Sequence, residues 1–349
     1  MGTANMRHKL LGRSGLRVSE LCLGTMTFGG GVGSLGVGGS DDRESRAMFD
    51  AFAEAGGTFL DTACSYSGGR SEELLGDFVA ADRDHFVIGT KYTNSHRGGL
   101  ALSGNSRRNM VRSVEASLKR LKTDRIDLFW LHLWDFTTPV DELLRAFDDL
   151  TAAGKVLYIG ASDTPAWEIS RANAMADLLG MTPFIAIQIE YSLLERTAEN
   201  DLMPMAKALD LGITAWSPLA AGMLARASDE RQAAQRRPGR ELSPAEREIT
   251  RTVREIAAQI GATPAQVALA AIRQHNRYGQ AIPILGAREP GQLHDCLGCL
   301  GITLDEAQRS RLESLSEPAL SFPHRVIRSP VALNLTTGGE GHLLDNHRR

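Results

Sequence analysis

Short apolar runs punctuate this chain, and between them apolar side chains recur at the spacing of one helix face. The runs are Leu21-Cys22-Leu23-Gly24, Thr58 to Leu60, Phe86 to Thr90, Ile126 to Leu131, Val156 to Asp163, Ile185 to Tyr191, Ile213 to Trp216 and Ala281 to Leu285. Each reads as a buried strand. Helical segments stand between them. Met48, Phe49, Phe52 and Ala53 share a face after Asp42. Ser71-Glu72-Glu73 opens a segment carrying Leu74, Leu75, Phe78 and Val79, and a hydroxyl ahead of acids marks a helix start. Met110, Val114, Leu118 and Leu121 line one face of Ser106 to Leu121. Further helices are expected over Pro139 to Ala153, from Thr164-Pro165, over Leu202 to Leu211, Pro244 to Ile260 and Pro264 to His275, after Gly286, and over Asp305 to Leu315.

Strand and helix alternating about eight times close a parallel sheet into a barrel. The expected fold is therefore α/β, a (β/α)8 TIM barrel with long loops on its top face, in one domain over residues 1–349. Ahead of it, Lys9 to Val18 reads as a hairpin turned at Arg13-Ser14-Gly15. Residues 317–349, with Pro318, Pro323, Pro330 and Gly338-Gly339, show no period and are expected to form an extended tail. Gly31 to Gly36 spells G-x-G-x-x-G. A dinucleotide fingerprint needs those glycines in a tight strand-to-helix turn. Here Thr25 to Gly30 and more glycines intervene, so a top-face loop is the better reading.

The chemistry gathers where strands end. Thr58 to Leu60 delivers Asp61 and, one loop later, Tyr66; the next two strands run into Lys91 and His132. In a parallel barrel those ends share one rim, the rim where active sites sit. Acid, phenol, ammonium and imidazole make a proton-transfer set. A phenol near pKa 10 is a poor acid at neutral pH. A neighbouring Lys⁺ is expected to lower that pKa, with Asp61 holding the Lys charged and in place. A neutral His132 can orient or donate to a carbonyl oxygen.

This set resembles the tetrad of the aldo-keto reductases, over roughly Leu10 to Leu315. The chain is most similar to the bacterial branch that resembles potassium-channel β-subunits and aryl-alcohol dehydrogenases. The resemblance implies reduction of aldehydes and ketones with NADP(H), Tyr66 acting as general acid, and a hairpin that plugs the barrel's bottom. It implies cofactor contacts at Thr25, at Ser162, Asp163 and Gln188 around the nicotinamide carboxamide, and at Trp216 stacked on the ring. Asp163 departs from the more usual Asn; it can accept from the carboxamide but cannot donate. Ser217, Leu219 and Gly222 would follow along the pyrophosphate. Gly286, Arg288 and Gln292 would hold the adenosine 2′-phosphate, with Asp295 beyond them on the adenine side; Arg288 argues for NADP over NAD. Met26 and Trp134 are candidates for the substrate side. The aromatics after His132 either form an apolar pocket or pack ordinarily. Arg226 to Ser243 either folds over the cofactor or is a solvated insertion. The alternative function is an NADPH-binding regulatory or sensor subunit with little turnover. A phosphate-binding isomerase would leave Gln188 and Trp216-Ser217-Pro218 unexplained.

Bulk properties narrow the partners. Net charge is −3 and the pI near 6.3, so nothing marks a nucleic-acid or membrane surface. No apolar run approaches the roughly 20 residues of a membrane span. The first residues carry no signal-peptide pattern, and four cysteines fit a reducing compartment, so a cytoplasmic location is expected. Cys296-Leu297-Gly298-Cys299 lacks a second ligand pair, so helix packing is favoured there over metal binding. No metal is expected. The physiological substrate and the oligomeric state are left open.

Overall fold

The computed structural model describes residues 6–32, 37–95, 97–226 and 241–345. β1 (His8–Leu10) and β2 (Arg17–Ser19) form the expected antiparallel hairpin, and β3 (Cys22–Gly24) follows directly. β4 (Gly31–Val32) and β5 (Val37–Gly38) pair as a small antiparallel ribbon. The flanks of the G-x-G-x-x-G string thus lie in a ribbon rather than a strand-to-helix turn; residues 33–36 lie outside the described residues. β6 (Phe59–Asp61), β7 (Val87–Lys91), β8 (Ile126–Leu131), β9 (Val156–Ser162), β10 (Phe184–Glu190), β11 (Gly212–Trp216) and β12 (Ala281–Leu285) complete the strands. β3 and β6 through β12 close in chain order into a parallel eight-stranded barrel. The expected (β/α)8 TIM barrel is the fold observed.

Helices α1 (Asp42–Glu54), α2 (Arg70–Val79), α3 (Arg107–Leu121), α4 (Val140–Ala152), α5 (Ala166–Leu179), α6 (Leu202–Ala208), α7 (Pro244–Ile260), α8 (Pro264–Gln274), α9 (Pro290–Leu297) and α10 (Glu306–Leu315) surround it. Their starts are written in the sequence. Asp41 with Glu44, Ser243 with Glu246, Thr263 with Gln266 and Asp305 with Gln308 all form capping boxes, each side chain satisfying the other's backbone N–H. Among the described residues, no helix is long and apolar enough to cross a membrane. The tail differs from expectation: α11 (His324–Ile327) and α12 (Pro330–Thr336) interrupt the extended chain. Ser329 accepts from Ala332 N–H and Pro330 occupies the first turn, a start signal too short for periodicity to reveal.

Alternation along each strand separates two cores. Outward residues such as Leu60, Ile88, Phe129, Ile159 and Ile187 pack under the helices. Inward residues Cys22, Phe59, Leu128, Trp130, Ala186, Ile282 and Ile284 fill the barrel, joined from below by Leu11 and Val18 of the hairpin segment. The hairpin therefore does plug the bottom. Gly12 allows it: at φ +56°, a Cβ there would lie 2.2 Å from the Ile185 carbonyl oxygen. Trp130 is the largest fully buried inward side chain, and it fits only because both flanking strands offer glycine. A Cβ on Gly160 would lie 2.4 Å from its ring and one on Gly89 2.8 Å from its Nε1. Gly160→Ala is accordingly expected to destabilise the protein by about 1–3 kcal/mol through overpacking. Thermal or denaturant unfolding checks this; an unchanged midpoint would contradict the packing described.

Candidate active site

The strands deliver their last inward side chains to one cavity of about 740 Å³ at the barrel's top. Gly24, Asp61, Ser162, Gln188, Trp216 and Ile284 line it, each at or near the end of its own strand, with His132 one residue past β8. The set that the sequence placed at the rim converges here.

Lys91, the last residue of β7, is fully buried behind the wall and forms an ion pair with Asp61 of the adjacent β6. Its Nζ also donates to the Thr62 carbonyl at 2.8 Å and to the Tyr66 Oη at 3.3 Å. Gln188 Nε2 donates to the other Asp61 oxygen at 3.0 Å. β6 and β10 lie opposite each other in the ring, so that bond spans the barrel's interior. The loop carrying Tyr66 is pinned by Thr62 N–H to the Gly89 carbonyl and Cys64 N–H to the Lys91 carbonyl. Tyr66 and His132 meet edge to face, with ring centroids 6.0 Å apart.

The electrostatics follow from burial and from Lys91. Burial is the largest influence and disfavours the ammonium, but Asp61 and Tyr66 together outweigh it, and the Lys91 pKa lies above its ordinary value. His132 is pushed down to about 3, by burial first and by Lys91 second, so its imidazole is neutral. Asn94 Nδ2 donates to His132 Nδ1 at 3.2 Å, which leaves Nε2 as the protonated nitrogen. Tyr66 departs from the sequence expectation. Burial raises its pKa above the ordinary value, Lys91 pulls it back without cancelling, and the charges of Asp61 and Asp163 add to the rise. The phenol therefore holds its proton.

Trp216 and Asp163 form one side of the cavity, with the indole Nε1 donating to Asp163 Oδ1 at 3.0 Å. Past Trp216 the wall turns through Ser217, Ala220, Ala221 and Gly222, all at positive φ. A Cβ added to Gly222 would meet nothing within 4 Å. Leu219, Arg226, Gly286, Arg288 and Gln292 continue the lining, and Gln292 Oε1 accepts from Arg288 N–H at 3.0 Å. Met26 lines the cavity beside Gly24.

Three expected contacts lie elsewhere. Thr25 is fully buried and turned outward, with its hydroxyl bonded to Ser71 at 2.7 Å and to the Asp61 carbonyl at 3.1 Å. Trp134 packs into the layer under the helices, its ring edge-on to Phe136, so ordinary packing is the outcome there. Asp295 accepts from Thr263 Oγ1 at 2.9 Å and Gln266 Nε2 at 3.0 Å, tying α9 to α8. Conversely, Ser65, Ala225, Ala265 and Cys296 line the cavity without having been singled out for it. Ser65 was signalled by adjacency to Tyr66; Ala265 and Cys296 arrive from α8 and α9, with no local signal. Cys296 and Cys299 are buried free thiols pushed up to about 12, mainly by burial. Of the loop expected to fold over the cofactor, residues 227–240 lie outside the described residues.

Comparison with known proteins identifies the family. The model of the aldo/keto reductase family matches residues 20–317. A norsolorinic acid reductase of Aspergillus flavus is 36% identical over 328 residues, covering 90% of this chain and 82% of that protein. An NADP(+) aryl-alcohol dehydrogenase of Phanerodontia chrysosporium is 34% identical over 358 residues, covering 96% of this chain and 92% of its own. With a barrel of this topology and a match over most of its length, the chain belongs to the aldo/keto reductase family.

Proposed function

We propose that the chain is an NADPH-dependent reductase that converts aldehydes and ketones to alcohols. The observation that carries this reading is a protonated Tyr66, 3.3 Å from the buried Lys91 ammonium, on the wall of a cavity that also holds neutral His132 and reaches Arg288. The donor set suits a dinucleotide: Ser162, Gln188 and an indole beside the tetrad, bare backbone at Gly222, and the guanidinium groups of Arg226 and Arg288 for phosphates. A dinucleotide held there would supply the hydride for the carbonyl carbon. His132 Nε2–H orients and polarises the carbonyl oxygen. Tyr66 gives that oxygen a proton as negative charge develops on it. Lys91 then stabilises the phenolate left behind, and Asp61 keeps Lys91 charged and aimed. Aromatic carbonyl compounds are the substrate class to test first, because the cavity carries Met26, Tyr66 and Trp216 and one relative is named for aryl alcohols.

Tyr66→Phe removes the donated proton and leaves the ring in place. Its kcat for reduction is expected to fall by at least about a hundredfold, the scale of general acid catalysis, while NADPH still binds. Steady-state kinetics beside a fluorescence titration separates the two effects. In the unaltered protein, the protonated phenol is the active form and its pKa is raised. Activity governed by Tyr66 should therefore decline only above about pH 10. A decline centred near neutrality that Tyr66→Phe abolishes would contradict this assignment.

Arg288→Ala tests the other end of the cavity. A charged hydrogen bond to phosphate contributes about 1.5–3 kcal/mol, so the Kd for NADPH should rise at least about tenfold. The Kd for NADH should barely move. Equal weakening of both would remove Arg288 as the basis of NADP preference.

A further inference from the structure

Asp163 stands apart from the other charged groups of the cavity. Its carboxylate lines the wall, and among the described residues no cation lies within ion-pairing distance of it. One oxygen is held by the Trp216 indole N–H at 3.0 Å. The backbone is held too, with Asp163 N–H donating to the Gln188 carbonyl at 3.2 Å and φ at +39°, a conformation that costs energy outside glycine. The side chain is thus fixed beside the tetrad, one residue beyond Ser162. An amide would accept the same indole bond, so that bond does not call for a charge.

The neighbouring charges give the carboxylate a definite surrounding. Burial raises the Asp163 pKa most; the indole bond and Lys91 lower it, and Glu190 on the end of β10 raises it. Lys91 is already committed to Asp61. The Asp163 charge also reaches Tyr66, where it adds to the forces holding the phenol protonated. Asp163 therefore brings to the tetrad end of the cavity a carboxylate that, among the described residues, has no ion-pair partner.

We propose that the Asp163 carboxylate sets the redox preference of the bound dinucleotide, favouring NADP⁺ over NADPH. This rests on the reading that the nicotinamide occupies the tetrad end. The two redox forms differ by one positive charge on that ring, and a carboxylate distinguishes them where an amide would not. Asp163 is exposed on the cavity wall, and unit charges a few ångströms apart near a protein surface still interact strongly enough for about a tenfold effect. Tighter binding of the product form than of the reactant form moves the on-enzyme equilibrium towards alcohol by the same factor. Binding is reciprocal, so the preference is measurable without turnover.

The experiment is titration of the full chain with NADP⁺ and with NADPH, by calorimetry or tryptophan quenching, in the unaltered protein, Asp163→Asn and Asp163→Ala. Asp163→Asn keeps an oxygen for the Trp216 N–H and removes only the charge. Its Kd for NADP⁺ should rise about tenfold, with the Kd for NADPH moving less than about twofold, a change of about 1.4 kcal/mol in the preference. Asp163→Ala should shift the ratio of the two Kd values alike, whatever happens to absolute affinity. Equal weakening of both forms, or no change in either, would overturn the proposal and make Asp163 a plain hydrogen-bonding residue. If the unaltered protein binds neither form, the functional reading itself fails and this proposal with it.

Discussion

The buried ion pair of Lys91 and Asp61 is the constraint on which the site depends. Taking two charges out of water is costly, and such a pair survives only with good geometry and further hydrogen bonds. Here they are supplied. Lys91 is fully buried and also donates to the Thr62 carbonyl and Tyr66, while Gln188 occupies the second Asp61 oxygen from across the barrel. The pair contributes geometry rather than net stability. It fixes a positive charge beside a phenol in a pocket that would otherwise expel it. That charge adds to burial in lowering the His132 pKa and opposes, without reversing, the effect of burial on Tyr66. One ammonium thus conditions both groups to which the proposed reduction assigns the carbonyl oxygen.

The barrel makes this arrangement possible through parallel register. Lys91 is level with Trp130, so the indole that Gly89 and Gly160 accommodate fills the barrel beside the ion pair. Below, Leu11 and Val18 of the hairpin segment close the barrel with apolar packing. Above it, each strand ends where its inward residue becomes a wall of the cavity. The polar groups therefore come from backbone that the sheet already holds rigid, which suits a site that must keep its geometry to within a fraction of an ångström.

Much of this was legible in the sequence, for physical reasons that also mark the limits. Apolar runs ending in Asp61, Lys91 and His132 show as strand ends because a strand covered on both faces is apolar until it emerges. Capping boxes such as Ser243 with Glu246 announce helices locally. Which way a residue faces at a strand's end is another matter. Thr25 and Gly24 are neighbours, yet only Gly24 reaches the cavity, because alternation puts Thr25 on the helix side. Trp134 lies in the loop past β8, where strand alternation no longer holds, and packs into the outer core. Asp295 is claimed by Thr263 and Gln266, partners from a different helix. The Tyr66 pKa reverses because a sequence displays the lysine's charge but not the depth of burial. The tail helices were missed because their cap, Ser329-Pro330, carries no apolar period behind it.

The central claim is that this cavity moves a hydride from a dihydronicotinamide to a carbonyl carbon. The most direct measurement is isotope transfer. NADPH deuterated at C4 of the nicotinamide, in each of its two stereoisomeric forms, is incubated with the protein and an aromatic aldehyde, and the alcohol is analysed by mass spectrometry and proton NMR. The account predicts one deuterium at the carbinol carbon, from one of the two forms only, since a single fixed wall presents the ring. Tight binding of NADPH with no label in any alcohol across a panel of carbonyl compounds would contradict it and identify the chain as a binding protein built on a reductase fold.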